Sequence, residues 1–238
     1  MTNNKQEKIV SMFNNIASTY DKANRVLSMG IDKSWRHKAC SKTFEIYGKN
    51  RIEKIVDVAC GTGDMILFWK QNASKKNIIL ENIVGVDPSV GMMEVGKKKL
   101  PEVEFIEAFA TKMPLENESA DIVSISYGIR NVVERQEAFF EFARVLKKGG
   151  LVVISEFTKN QKENPLDHLT AFYMDKVLPV VGGIISKNKE AYRYLPDSID
   201  EFLTTKNLCL ELEKAGFEIV YTKAFSMKIS TLIIARKL

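Results

Sequence analysis

The apolar residues near the start of this 238-residue chain recur at helical spacing. Ile9, Phe13, Ile16 and Tyr20 lie three or four positions apart, which places them on one face of an α-helix. A second apolar and aromatic stretch runs from Trp35 to Tyr47. The first fifty residues therefore predict a helical N-terminal segment.

From Ile52 onward the pattern changes to short β-branched runs that alternate with helical segments. Runs that are apolar at successive positions are typical of strands buried on both faces, and right-handed crossovers through helices make such strands parallel. The predicted strands are Ile55–Ala59, Ile83–Asp87, Val103–Glu107, Asp121–Ser126 and Leu151–Phe157.

The alternation is predicted to end after the fifth strand. Before that strand, a helix from about Glu134 to Leu146 is expected to stop at Gly149-Gly150, where a residue with positive φ can close the last turn. After it, residues 159–201 are rich in aromatic side chains and contain Asn164-Pro165 and Gly182-Gly183. We interpret this segment as a mostly helical insertion over one end of the sheet.

The tail predicts a helix that ends near Gly216 and two further strands, Phe217–Ala224 and Ile229–Ala235. The predicted fold is α/β, with a mostly parallel seven-stranded sheet, helices on both faces, N-terminal helices and a helical insertion after the fifth strand. A chain of this length fits one domain, and its 45% hydrophobic content excludes extended disorder.

The charge of the chain is mildly positive, because it contains 35 lysines and arginines and 30 acidic residues, which give a net charge of +5. The basic residues are interpreted as spread along the chain. Such a charge permits contact with an anionic membrane or a nucleic acid but requires neither. Lys97-Lys98-Lys99 is interpreted as a solvated helix end, so no concentrated basic stripe is predicted.

Cysteine and histidine usage argues against a disulfide framework and against a bound metal. Cys40, Cys60 and Cys209 lie far apart with no C-x-x-C pair, which favours a reducing compartment. His37 and His168 are the two histidines, and such scattered ligands do not form a zinc site. We expect no metal.

No membrane span or secretory signal is expected. Met1 to Val10 is polar, and the longest apolar run, Leu178 to Ile185, is interrupted by a proline and two glycines. The sequence therefore predicts a cytoplasmic protein that is at most peripherally attached to a membrane.

The strongest local signal is the glycine loop from Asp57 to Asp64, which follows a predicted strand and precedes a predicted helix. Gly61 and Gly63 allow a sharp turn and a close approach of a ligand to the backbone, and Thr62 adds a hydroxyl and an amide. Asp87 ends the next strand, one βαβ unit later. Its carboxylate can accept both ribose hydroxyls of an adenosine ligand.

Two cofactors compete for this loop. A dinucleotide needs a third glycine where this chain has Ile66, because its pyrophosphate must lie against the helix N-terminus. S-adenosylmethionine has no phosphate and carries a sulfonium and an ammonium group, which suit a loop flanked by Asp57 and Asp64. The residues therefore favour the methyl donor, and a hydride-transferring dehydrogenase is disfavoured.

Further cofactor contacts are expected from the ends of the third and fourth strands, because ligands bind outside the carboxyl ends of parallel strands. Phe109 can pack on an adenine face, with core packing as the alternative, and the amide of Ala110 can bind the adenine edge. Ser126 ends the fourth strand on the same side.

Longer strings carry a resemblance to a known family. The chain resembles the class I S-adenosylmethionine-dependent methyltransferases and, more closely, the C-methyltransferases of menaquinone and ubiquinone biosynthesis. The glycine loop and Lys148-Gly149-Gly150 identify only the superfamily. The strings more particular to the quinone group are Ala17 with Tyr20-Asp21, Ser126-Tyr127-Gly128-Ile129-Arg130-Asn131, and Tyr192-Arg193-Tyr194-Leu195.

The resemblance implies cofactor contacts at Thr62, Asp87, Ala110 and Ser126. It also implies transfer of a methyl group to a ring carbon of a prenylated quinol, most directly demethylmenaquinol and also the 2-methoxy-6-polyprenyl-1,4-benzoquinol precursor of ubiquinone. Two positions depart from the pattern. Ala59 replaces the usual first glycine of the loop, and Phe109 replaces a common asparagine.

The implied chemistry needs a group that stabilises a phenolate, because a neutral aromatic carbon is a poor nucleophile and a phenol has a pKa near 10. We expect Arg130 to lower the pKa of the quinol, with Asn131 orienting the ring and a water, Tyr127 or His168 relaying the proton. The alternative is that Arg130 pairs with a surface carboxylate.

The resemblance also suggests a division of the single domain and its partners. A prenyl chain would need an apolar exit, which fits transient contact with the inner face of the membrane, and a homodimer stays open. The predicted parts are a helical lid at 1–50, a cofactor-binding core at 51–158, a substrate-side insertion at 159–201 and a C-terminal helix with strands at 202–238.

Of three alternatives, one is disfavoured and two stay open. A nucleic-acid partner is not expected, because Ser126-Tyr127-Gly128-Ile129 stands where base-flipping methyltransferases commonly carry an Asn/Asp-Pro-Pro-aromatic segment. A methyltransferase of another small apolar substrate, or a non-catalytic cofactor-binding partner protein, would carry the same glycine loop.

Overall fold

A computed structural model describes residues 2–159 and 189–238, together with Val180 and Gly183. The helices are α1 (Thr2–Leu27), α2 (Ile31–Tyr47), α3 (Asp64–Lys75), α4 (Val90–Lys99), α5 (Arg135–Val145), α6 (Lys189–Asp200) and α7 (Thr205–Lys214). The strands are β1 (Arg51–Val58), β2 (Ile79–Asp87), β3 (Glu104–Glu107), β4 (Ala120–Ser126), β5 (Leu146–Glu156), β6 (Phe217–Phe225) and β7 (Ser230–Lys237). A short 3₁₀ turn covers Ile129–Asn131.

The seven strands form one sheet in the order β3-β2-β1-β4-β5-β7-β6. The pairs from β3 through to β5 are parallel, whereas β7 runs antiparallel to both β5 and β6. This arrangement confirms the predicted mostly parallel, seven-stranded α/β fold. The strand order reverses between β1 and β4, and the cleft outside the carboxyl ends of these strands is where such sheets bind ligands.

Both faces of the sheet are covered, which explains why the central strands are apolar at successive positions. On β1, Val56 and Val58 pack with Phe139 and Phe142 of α5, whereas Ile55 packs on the other face. That other face holds the larger aromatic cluster, which includes Trp35, Phe44, Phe68 and Trp69. Each fully buried side chain of this size contributes about 1.5–3 kcal/mol relative to exposure, so the two layers fix the sheet between them.

The predicted boundary between α5 and β5 is wrong. Helix α5 ends at Val145, and β5 begins at Leu146 rather than Leu151. Gly149 has the expected positive φ of 76°, but it lies inside the strand, where the register with β4 shifts. A side chain at Gly150 would meet the carbonyl oxygen of Lys147 at 2.9 Å, so the glycine pair allows an irregularity in the strand and does not cap the helix.

The helical N-terminal segment is confirmed as α1 and α2. In contrast, most of the predicted insertion at 159–201 lies outside the described residues, and so does His168; α6 forms its described end. Cys40, Cys60 and Cys209 are free thiols. None of the helices among the described residues is long and apolar enough to cross a membrane.

Candidate active site

A cavity of about 210 Å³ opens at the carboxyl ends of β1, β2 and β4. It brings together most of the residues that the sequence predicts for cofactor binding: Asp57, Gly61, Thr62, Asp87, Phe109, Ala110 and Ser126. Gly63 does not line it. That glycine is the left-handed N-cap of α3, where a side chain would press on Leu100 and Phe105.

The Asp87 carboxylate is fixed by the backbone of the cofactor loop. Its two oxygens accept hydrogen bonds from the amide of Gly61 at 2.8 Å and from the amide of Ser89 at 2.7 Å. Burial raises the pKa of Asp87 to about 6, and these two bonds oppose the shift. The carboxylate therefore stands at the cavity wall in a defined orientation.

Asp57 lies deeper in the same wall. Its carboxylate accepts a hydrogen bond from the Ser124 hydroxyl at 2.6 Å, and burial raises its pKa to about 7. Neither Asp57 nor Asp87 forms an ion pair within the described ranges. Two buried carboxylates without an ion-pair partner make this cavity a favourable place for a positively charged ligand.

The loop tolerates alanine at position 59 because glycine stands opposite. Ala59 adopts a positive φ of 49°, and a side chain on Gly128 would approach the Cβ of Ala59 to 2.6 Å. In this chain the missing side chain of Gly128 therefore provides the space that a glycine at position 59 would otherwise provide. The departure of Ala59 from the family pattern leaves the turn intact.

Helix α1 covers the loop through polar contacts. The Thr62 hydroxyl donates to Asp21 at 2.6 Å, so the backbone amide is the group that Thr62 keeps for a ligand. Lys99 bridges Asp21 and Asp64 at 2.7 and 3.0 Å. Farther along α1, the side chain of Asn14 accepts from the amide of Gly91 at 2.8 Å. These contacts tie α1 to the N-terminal end of α3 and to both ends of α4.

Phe109 lies at the edge of the cavity and is 44% exposed, so the core-packing alternative is wrong. Ala110 and Ser126 line the same cavity, from the ends of the third and fourth strands. An exposed aromatic ring at a cavity edge can stack on a planar ligand.

A second cavity, of about 260 Å³, lies beside the first and is lined mainly by apolar side chains. Helices α1, α2 and α6 and the turn between β6 and β7 enclose it. Its apolar lining includes Met12, Phe13, Ile16, Leu27, Trp35, Phe157, Leu195 and Ile229. Four residues line both cavities and form what we call the junction: Phe13, Tyr20, Arg36 and Tyr127.

Arg36 is the cation at the junction. Its side chain is only 8% exposed, its Nη1 donates to Asp32 at 2.9 Å, and its guanidinium lies 5.0 Å from the centre of the Tyr127 ring. Its Nε has no hydrogen-bond partner, and among the described residues it is the one buried side-chain nitrogen or oxygen in that condition. A buried donor without an acceptor is costly, which makes it a position for a ligand oxygen.

Arg130 also lines the apolar cavity, but its charge is paired. Its guanidinium donates to the carboxylate of Glu156 at 2.6 Å and to the carbonyl oxygen of Tyr127 at 2.8 Å. Glu156 is fully buried at the end of β5, and burial raises its pKa while Arg130 opposes the shift. The carboxylate alternative is thus realised with a buried partner and not with a surface one.

Tyr127 and Asn131 are held by neighbouring hydroxyl groups. The Tyr127 hydroxyl is hydrogen-bonded with Ser230 at 3.0 Å, and burial raises its pKa to about 12. Asn131 lines the first cavity, and its side-chain oxygen accepts from Tyr194 of α6 at 2.9 Å. Tyr127 therefore contributes its ring to the junction, while its hydroxyl is a poor proton acceptor at neutral pH.

Comparison with known proteins identifies the family. Residues 1–237 match the model of the ubiE/COQ5 methyltransferase family. The chain belongs to this family. It is 56% identical to the ubiquinone/menaquinone biosynthesis C-methyltransferase UbiE of Campylobacter jejuni, over 98% of this chain and 99% of that protein. It is 36% identical to the demethylmenaquinone methyltransferase of Chlorobaculum tepidum, over 98% and 93% of the two chains.

Solved structures agree on the fold. The ubiE/COQ5 family chain superposes on an S-adenosylmethionine-dependent methyltransferase from Thermotoga maritima with a TM-score of 0.60, at 20% identity, covering 97% of this chain and 100% of that one. A second such methyltransferase, from Aquifex aeolicus, gives a TM-score of 0.55 at 15% identity, over 78% and 82% of the chains. At these identities the likeness supports the class I methyltransferase fold alone.

The first cavity of this ubiE/COQ5 family member fits S-adenosylmethionine on its own chemistry. The glycine loop gives close access to backbone amides, Asp87 presents a fixed carboxylate, and Phe109 offers an aromatic face. The unpaired charges of Asp57 and Asp87 match the sulfonium and ammonium groups of the donor.

Sequence reasoning missed Arg36. Arg36 lies in the second apolar stretch, directly after the buried Trp35. The available signal was its position on the inward face of α2, which also carries Ala39, Cys40 and Phe44. A charged residue on such a face needs a partner or a function.

Proposed function

We propose that the protein transfers a methyl group from S-adenosylmethionine to a ring carbon of a prenylated quinol. The substrates are demethylmenaquinol and, by the names of its relatives, the corresponding precursor of ubiquinone. One observation carries the proposal: a cavity with unpaired carboxylates and an apolar cavity meet at the four junction residues. A charged methyl donor and an apolar ring would thus face each other there.

The cofactor seat in this proposal comprises the residues that fix and neutralise the donor. Asp87 accepts the ribose hydroxyls, Phe109 stacks on the adenine and Ala110 binds its edge. The Asp57 carboxylate balances the positive charge of the donor. The backbone around Gly61 and Thr62 approaches the donor closely. When bound, the donor supplies an electrophilic methyl group.

The acceptor carbon becomes nucleophilic when the adjacent phenol is ionised. Arg36 is well situated to stabilise that oxyanion, because the residue lines both cavities and its Nε has no hydrogen-bond partner. A fixed donor in a buried site acts more strongly than one in water and requires no reorganisation during the reaction. We therefore assign to Arg36 the role that the sequence had suggested for Arg130.

Arg130 and Asn131 are positioning residues in this proposal. The pair Arg130–Glu156 joins the 3₁₀ turn to the end of β5, and it holds the backbone of Tyr127 through its carbonyl oxygen. Asn131 connects this turn to α6 through Tyr194. Together they keep the Tyr127 ring beneath Arg36.

The cellular setting is part of the proposal. A substrate with a prenyl chain resides in a membrane, so we propose that the enzyme works in the cytoplasm at the inner face of the membrane. No nucleic-acid partner is required. The apolar lining of the second cavity supports an apolar acceptor and gives a nucleic-acid base few polar partners.

The test is methyl transfer from labelled S-adenosylmethionine to purified demethylmenaquinol, with RNA and total protein as competing acceptors. Label in methylated menaquinol is the expected result, accompanied by accumulation of demethylmenaquinone in a deletion strain. Cofactor binding without transfer to any acceptor would indicate a non-catalytic partner protein. Label in another apolar compound would name a different substrate.

A further inference from the structure

Three large apolar side chains stand exposed at the mouth of the second cavity. Met29 is 86% exposed, Ile31 45% and Met227 50%, and all three also line that cavity. Met29 lies in the turn between α1 and α2, Ile31 is the first residue of α2, and Met227 lies in the turn between β6 and β7. We call these three residues the apolar rim. Because the rim and the lining are continuous, the cavity opens where the rim meets solvent.

The two turns are fixed to each other. Trp35 Nε1 donates a hydrogen bond to the Ser226 hydroxyl at 3.0 Å, which joins the start of α2 to the tip of the β6–β7 turn. Met29 and Met227 both adopt positive φ values, of 51° and 54°. Non-glycine residues pay a conformational cost there, and such strain is typical of segments kept for a function.

The basic residues of the chain concentrate around this rim. Residues 22–42 and 221–229 contain eight lysines and arginines and one acidic residue, Asp32, so they carry more positive charge than the whole chain. Asp32 is buried and paired with Arg25 and Arg36. The expectation that the basic residues are spread along the chain is therefore wrong, because residues 22–42 are already rich in them and folding adds those of the β6–β7 hairpin beside α2.

The basic surface beside the rim has an open cleft between α2, α3 and β6. More lysines than acidic side chains line this cleft. Its one acidic side chain, Glu45, is paired with Lys42 at 2.7 Å. The remaining lysines of this cleft are Lys38, Lys75, Lys76 and Lys223. Such a cleft attracts the phosphate groups of an anionic surface.

We propose that the apolar rim and the lysines beside it dock the enzyme on an anionic phospholipid bilayer. The rim inserts between the lipids while Lys33, Lys38 and Lys223 lie against the headgroup phosphates. Docked in this way, the second cavity opens directly into the apolar layer. A prenylated quinol would enter without crossing water. This inference rests on the proposed function for its purpose, but the surface itself is independent of the reaction.

A bilayer fits these observations better than a protein or nucleic acid does. The rim consists of two flexible methionines at the tips of two turns and an exposed isoleucine beside them, which suits shallow insertion rather than a flat protein interface. They also surround the entrance of the cavity that takes the acceptor. In the proposed function, that acceptor is itself a membrane lipid.

Co-sedimentation with sucrose-loaded vesicles tests the surface. The full chain is mixed with vesicles of pure phosphatidylcholine or with vesicles containing phosphatidylglycerol, without any quinol. We expect binding to the anionic vesicles that weakens with salt. Met29→Ser/Ile31→Ser/Met227→Ser should lower the partition coefficient at least about tenfold. Lys33→Glu/Lys223→Glu should lower it to a similar degree, since each lysine near such a surface contributes about fivefold.

Two control variants match these changes elsewhere on the molecule. Lys97→Glu/Lys98→Glu makes the same charge change on α4, at the opposite edge of the sheet, and Phe140→Ser/Leu210→Ser removes exposed apolar groups from α5 and α7. Both should bind vesicles as the wild type does. If Lys97→Glu/Lys98→Glu weakens binding as strongly as Lys33→Glu/Lys223→Glu, net charge alone is responsible and the docking surface is overturned.

Vesicle binding and methyl transfer are measured separately, so that membrane docking and the proposed function can fail independently. Absence of vesicle binding, or tight binding of RNA with no preference for anionic vesicles, would overturn the inference while methyl transfer to a short-chain soluble quinol still stands. Vesicle binding without transfer to any quinol would overturn the function and leave the surface intact. With both correct, Lys33→Glu/Lys223→Glu, which changes no residue lining the second cavity, should lose methylation of vesicle-embedded quinol and retain methylation of the soluble analogue.

Discussion

At the scale of single residues, Arg36 carries the one buried side-chain nitrogen or oxygen without a hydrogen-bond partner in the described part of the chain. We predict that Arg36→Gln lowers kcat about 100-fold, the effect of one lost donor at a developing oxyanion. The dissociation constant of S-adenosylmethionine should change little. The pH optimum of turnover should move upward. Without a nearby cation, the phenol would ionise only as the pH approaches its ordinary pKa near 10. Steady-state kinetics between neutral and alkaline pH measure both effects.

Tyr127→Phe is the matched control for Arg36. It keeps the ring beneath the guanidinium and removes only the hydroxyl bonded to Ser230. If that hydroxyl relayed the proton, turnover would fall by about 100-fold or more, as for a general acid–base group. We expect a much smaller loss. Unchanged kcat and pH profile in Arg36→Gln would refute the role of Arg36.

A second prediction separates charge from position at Arg130. Arg130→Ala leaves Glu156 buried without its cation, which should destabilise the protein by about 3–5 kcal/mol. Adding Glu156→Gln should recover stability because the uncompensated charge is gone. Denaturant unfolding and kcat are measured for both variants. If the double variant regains stability but no turnover, Arg130 acts on the substrate and not through the fold.

A third prediction concerns pH and cofactor binding. The pKa values of about 6 for Asp87 and about 7 for Asp57 mean that both carboxylates become ionised as pH rises toward 8. Affinity for the positively charged donor should therefore rise about tenfold between about pH 5 and pH 8. Calorimetric titration measures it, with S-adenosylhomocysteine as the comparator, because its sulfur is uncharged and its slope should be shallower.

The same pKa values fix the sign of the stability effect. Because folding raises both above the ordinary value, their contribution to the stability of the ligand-free protein is present at low pH and is lost as pH rises through about 6 to 7. Stabilisation by the donor should therefore grow over the same interval. A pH-independent thermal shift, or no change in slope for Asp87→Asn, would contradict this account.

At the scale of elements, α1 and α2 differ in what holds them. The apolar face of α1 belongs to a small separate cluster around Ile16, Ala23 and Leu27, whereas α2 contributes Trp35 and Phe44 to the main core. Two helices that adjoin in sequence therefore depend on the rest of the fold to different degrees. We therefore expect the fold to survive the removal of α1 but not the removal of α2.

The fourth prediction follows from that difference. Removing residues 1–27 should preserve cooperative unfolding and leave measurable cofactor binding, while quinol methylation is lost because the junction loses Phe13 and Tyr20. Removing residues 1–50 should abolish folding. Lys5→Ala, at an exposed ion pair on α1, is the control and should behave as wild type. Full quinol methylation without α1 would contradict its role as a cover.

The element boundaries show which patterns sequence can decide. The central strands were predictable because their apolar runs are buried on both faces, a local signal. The start of β5 was not, because Lys147-Lys148-Gly149-Gly150 resembles a helix end, and only the pairing of Leu146 with Ala120 makes it a strand. Pairing partners far apart in the chain are invisible to spacing rules.

At the scale of the whole molecule, the sheet order accounts for where the site forms and for what was predictable. The residues that line the cofactor cavity lie at the ends of adjacent strands, so residues such as Asp57 and Asp87 could be placed from sequence. The role of Arg36 depends on how α2 packs against Tyr127, and the apolar rim depends on two turns meeting through Trp35 and Ser226. These arrangements arise only once distant segments are folded together.

The shared junction has a consequence for inhibitor design. A single compound with an adenosine-like head and an apolar arm would occupy both cavities and contact the junction residues that they share. Two fragments that each bind near 1 μM would, when joined without strain, reach about 1 nM at an effective concentration of about 1 mM. Enzymes that share only the cofactor cavity would bind the head alone, so the arm would provide the selectivity.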